Sequence, residues 1–100
     1  MVTGAQQVFN EIKEYIRKKG GIYHDWYTGT TSNVREGLFL EHNVSEKSDF
    51  WIYRDCENLR EAKRIKEILI TLGCKGKAEE WEISATSVYA YRKSSNTIPQ

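Results

Sequence analysis

The chain has 100 residues, with 15 Lys plus Arg against 14 Asp plus Glu, a formal net charge of +1. That length supplies one hydrophobic core, and 12% aromatic residues with one Pro and seven Gly exclude disordered, linker-like and collagen-like chains. The charge balance excludes a globally basic nucleic-acid binder but leaves room for a local basic patch.

Val8, Phe9, Ile12, Tyr15 and Ile16 recur at helical spacing and predict a first helix from Gln6 to Lys19. Arg17-Lys18-Lys19 suit the negative end of its dipole, and Gly20-Gly21 stop it. The β-branched and aromatic run from Ile22 to Gly29 predicts a strand. Asn33 and Glu36 form a capping-box variant before a short helix, Val34 to Glu41. Asp49 to Arg54 reads as a second strand. Asn58 and Glu61 cap a third helix with the stripe Leu59, Ala62, Ile65, Ile68, Leu69 and Leu72, closed by Gly73. Trp81-Glu82-Ile83 suggests a short strand, Ser87 to Lys93 is a clear one, and Ser94 to Gln100 reads as a frayed tail.

The order α-β-α-β-α-β predicts an α+β domain: a small, mostly antiparallel three-stranded sheet flanked by helices. One domain is expected over residues 1–100, with its core over 6–93. Ser87 to Lys93 is the expected partner of the first strand, with Tyr89 and Tyr91 on one face.

No run of roughly 18 apolar residues is present, so no membrane span is expected. The N-terminal residues lack a basic start followed by an apolar run, so no secretory signal is expected. Cys56 and Cys74 flank a helix about 22 Å long, beyond the roughly 7 Å that a disulfide spans. Free thiols and a cytoplasmic location follow as expectations.

One constellation carries chemistry. Tyr27-Thr28-Gly29-Thr30-Thr31, the helix after it and His42 resemble the second half of the GIY-YIG nuclease signature. Gly21-Ile22-Tyr23 is similar to its first tripeptide, and Glu61 to Ile70 to its metal-binding helix. The match covers about residues 21–70. The resemblance implies phosphodiester cleavage: a Tyr hydroxyl on the nucleophile, an Arg on the phosphate, and Mg²⁺ or Mn²⁺ held by a carboxylate. Carried over by position, the family Arg falls on Gly37 and the family Glu on Lys66.

A non-catalytic binding module on a GIY-YIG-like scaffold is therefore the leading expectation. DNA or RNA would be held by Tyr27, Arg60, Arg64 and Lys66, with a protein partner as the other possibility. In the competing expectation, an active endonuclease uses Tyr27, Arg35 and His42 with Glu67 as metal ligand in a shifted register. A third is a small interaction or inhibitor protein encoded by a mobile element. The plain readings compete with these. Arg60, Lys63, Arg64 and Lys66 read equally as a solvated helix face, and Arg17-Lys18-Lys19 as dipole complements. His24, Asp25 and His42 have no metal-ligand spacing. Trp26, Trp51 and Trp81 suit a core as well as base stacking.

Overall fold

A computed structural model describes residues 4–47, 49–76, 86–94 and 97. Its elements are helix α1 (Ala5–Lys18), a 3₁₀ turn (Tyr23–Asp25), strand β1 (Trp26–Thr31), a π-helix (Arg35–Glu41), strand β2 (Trp51–Asp55), helix α2 (Leu59–Leu72) and strand β3 (Ser87–Arg92). The Trp81–Ile83 strand expected above lies outside the described residues.

The sheet has the order β1-β3-β2, with both ladders antiparallel. β3 is thus the shared partner. It pairs Trp26 with Arg92 through Thr31 with Ser87 on one side, and Trp51 with Tyr91 through Asp55 with Ser87 on the other. The expected first strand starts later than its composition suggests. Asp25 N–H turns back to the Ile22 carbonyl at 3.1 Å, so Gly21-Ile22-Tyr23 leads into a 3₁₀ turn and stands outside the sheet. Aromatic and β-branched content marked the strand but not this turn. Beyond β1, Lys75 adds two backbone bonds, to Thr28 N–H and to the Trp26 carbonyl, both 2.8 Å.

Alternation along the strands divides the core in two. Trp26, Ile52, Val88 and Ala90 face α1 and α2, where Val8, Ile12, Ile16, Ala62, Ile65 and Leu69 complete a cluster with Cys56 and Cys74. Tyr27, Tyr89 and Tyr91 face the other way and pack with Leu38 and Val44. Cover on both sides explains why every residue of β1 is buried. Trp26 and the half-buried Trp51 are packing residues, the latter edge-on to Phe39 at 5.1 Å. In the stretch expected to fray, Thr97 is buried and bonds back to Ser94.

The start of α2 follows its sequence. Asn58 Oδ1 accepts the Glu61 N–H at 2.9 Å, while the Glu61 carboxylate accepts the Glu57 N–H at 3.2 Å. Asn58→Ala is expected to cost about 1 kcal/mol, the usual loss for such a cap. A thermal melt should show it as a drop of roughly 4–8 °C for a domain of this size.

Both cysteines are free and buried. Burial pushes the Cys56 thiol up to about 11 and the Cys74 thiol up to about 12. Neither is poised for nucleophilic chemistry. Among the described residues, no helix is long and apolar enough to cross a membrane.

Candidate functional site

The chain leaves β1 through a tight turn. Thr31 Oγ1 accepts the Asn33 N–H at 3.0 Å, and Asn33 Oδ1 accepts the Glu36 N–H at 3.2 Å. The second bond is the cap expected from the sequence. The helix that follows is a π-helix rather than an α-helix, a form often found at special sites. It closes at Asn43, whose φ of 53° lies in the left-handed region that Asn tolerates, and Val44 N–H returns to the Leu38 carbonyl at 3.1 Å.

This closure carries His42 inward. Its Nε2 lies 2.9 Å from the Tyr89 hydroxyl and its Nδ1 lies 3.1 Å from the Tyr91 hydroxyl. The Tyr27 ring tilts against the imidazole at 4.8 Å and stacks on Tyr91 at 5.4 Å. The tautomer of the ring sets which phenol donates and which accepts in these two contacts. Burial, with Tyr27 as a lesser cause, raises the Tyr91 hydroxyl above its ordinary value.

Tyr27 and His42, two of the proposed catalytic residues, are therefore brought together. They are also sealed: Tyr27 is 3% exposed and His42 is 4% exposed. Arg35 does not join them. Its side chain is exposed, lying over Phe39 at 5.8 Å with Glu46 4.0 Å away. Gly37, the position of the family Arg, is pressed against β1. A Cβ there would meet the Thr31 side chain at 3.2–3.3 Å. Close packing accounts for this glycine.

Lys66 corrects an expectation more sharply. It was placed on the polar side of its helix as a phosphate contact, yet it is fully buried. It shares the inward face of α2 with Ala62, Ile65 and Leu69. That face packs on the side of the sheet opposite Tyr27 and Leu38. Lys66, Gly37 and Tyr27 do not converge on one concave surface. Tyr27 and Lys66 are both too enclosed to touch a nucleic acid. Glu67 stands on the outer face of α2, and among the described residues no three His, Cys, Asp or Glu side chains come together as a metal site.

A groove along α2 is open to solvent. Leu59, Arg60, Lys63, Arg64 and Glu67 line it, with a volume of about 670 Å³. Spacings of three and four residues place these side chains on one face. The ion pairs of the described residues join Arg17 to Glu14, Arg35 to Glu46 and Arg54 to Glu11. Arg60, Lys63 and Arg64 belong to none of them.

The sequence pattern missed the His42–Tyr89–Tyr91 network. The alternation of Tyr89 and Tyr91 placed both on one face, but nothing local pointed His42 at them. No protein-family model, curated protein or solved structure matches this chain.

Proposed function

We propose that this chain is a non-catalytic nucleic-acid-binding domain on a GIY-YIG-like scaffold, and that the outer face of α2 is its phosphate contact. The observation that carries the reading is the α2 groove, where Arg60, Lys63 and Arg64 belong to none of the ion pairs of the described residues and Glu67 is the one acidic residue of the described lining. Cations gathered on one face can contact a phosphate chain without a globally basic protein. Absence of catalysis is supported by the burial of Tyr27 and His42 and the distance in the fold between them and Glu67. Phosphodiester cleavage needs its nucleophile-activating group within hydrogen-bond reach of the substrate.

The experiment pairs binding with cleavage. Labelled duplex DNA and RNA should bind with affinity that falls as salt rises, and Arg60→Glu with Arg64→Glu should remove most of it. The slope of log affinity against log salt on duplex DNA should flatten by about 2. No cleavage should appear with Mg²⁺ or Mn²⁺. Binding unchanged in the double variant overturns the α2 interface. Cleavage that Tyr27→Phe abolishes favours an active nuclease instead.

A further inference from the structure

A second cationic surface forms where three segments distant in sequence meet. They are the end of α1, the approach to β2 and the exit of β3. Arg92 N–H donates to the Phe50 carbonyl at 2.9 Å, and Lys93 N–H to the Asp25 carbonyl at 2.8 Å. The Arg92 guanidinium lies about 3.6 Å from the Cβ position of Gly20. Lys19 Nζ sits 5.3 Å from the centre of the Phe50 ring. Between them is a cleft of about 230 Å³ lined by Asp49, Phe50, Arg92, Lys93 and Ser94.

Two features single this cleft out. Lys18, Lys19, Arg92 and Lys93 take part in none of the ion pairs of the described residues. Among the described residues, Asp49 is the carboxylate that lines the cleft, and it is engaged with Ser45 N–H and Ser94 Oγ. The second feature is Phe50, which is 39% exposed although it leads into a strand. An exposed aromatic ring beside cations that lie outside those ion pairs can bind unpaired bases, because every base has a face to stack and a phosphate beside it. A duplex hides its base faces, and Asp and Glu side chains have no flat ring to place on Phe50.

We propose that this cleft binds single-stranded nucleic acid, with one base stacked on Phe50 and flanking phosphates on Lys19, Arg92 and Lys93. The inference rests on the nucleic-acid reading above but uses none of the α2 residues, so the two surfaces can fail separately. Fluorescence anisotropy with a short labelled oligothymidylate, a duplex of the same length and poly-glutamate separates them. Phe50→Ala should weaken oligothymidylate about tenfold and leave the duplex within about twofold. Phe50→Leu, which keeps an apolar side chain at this exposed position but loses the flat ring, should weaken it similarly. Lys19→Glu with Lys93→Glu should flatten the salt slope on oligothymidylate by about 1.4, at roughly 0.7 per phosphate contact. If none of these variants changes oligothymidylate binding while the α2 double variant does, the cleft is overturned and the α2 interface stands. Poly-glutamate binding as tightly as oligothymidylate reassigns the cleft to an acidic protein and overturns the proposal. No binding of any nucleic acid overturns both readings.

Discussion

Gly29→Ala is expected to destabilise the domain by about 3 kcal/mol, although it adds one methyl group. Alanine elsewhere in a strand interior gains roughly 0.5–1 kcal/mol over glycine. Here the added Cβ would stand 2.5 Å from the Tyr89 hydroxyl and 2.7 Å from its Cζ. The facing pair Gly29 and Tyr89 lies across the β1–β3 ladder, and Tyr89 is buried. The ring has to move, which is an overpacking cost of about 1–3 kcal/mol. Moving it also takes the hydroxyl from His42 Nε2. A buried polar group that loses its partner costs about 1–3 kcal/mol more. Urea unfolding should report the loss, and near-ultraviolet circular dichroism the displaced tyrosine. A neutral or stabilising effect would mean that Tyr89 does not cross over Gly29.

Lys66→Glu is expected to cost about 3–5 kcal/mol, the range found when an uncompensated charge is left buried. Against a total stability of about 5–15 kcal/mol, that removes much of the fold. Lys66 is fully enclosed on α2 and shares its buried face with Ala62, Ile65 and Leu69. The substitution supplies the carboxylate that the nuclease resemblance calls for, but on the side of the sheet away from Tyr27. Unfolding, rather than metal-dependent cleavage, is the expected outcome. Arg64→Glu is the control, since it changes the same charge on an exposed position of the same helix. Its effect should stay within about 0.5 kcal/mol. Equal effects in the two variants would place Lys66 on the surface.

The contrast between these two cations shows what was legible in the sequence. Residues 62, 65, 66 and 69 follow the spacing of a buried helical face. Lys66 was nevertheless assigned to the polar side because of its charge, while its four-carbon stem let it follow the periodicity. The spacing was informative and the residue type misled. Helix caps were legible because they are local: Asn58 and Asn33 each hold the N–H expected of them. The pairing of the first strand with the C-terminal one was legible from matched aromatic content. The π-form of the Arg35–Glu41 helix was not, since a cap and an apolar stripe mark a helix without fixing its pitch. Arg35 is accordingly turned towards Phe39 and Glu46. The Phe50 cleft was invisible because its parts come from three segments, each with an ordinary local explanation.

The position of β3 between the other two strands has a consequence for how the chain acquires its shape. Neither β1 nor β2 pairs with the other, and each waits for Ser87–Arg92. The helices can nucleate early from local contacts, but no ladder closes until the last strand arrives. Every strand pairing therefore spans a long loop, whose closure entropy is lost before the contacts repay it. Such non-local pairings slow folding relative to locally paired strands of the same size. Until it docks, two aromatic strands present open edges to neighbouring chains, so concentration and temperature during refolding decide the yield.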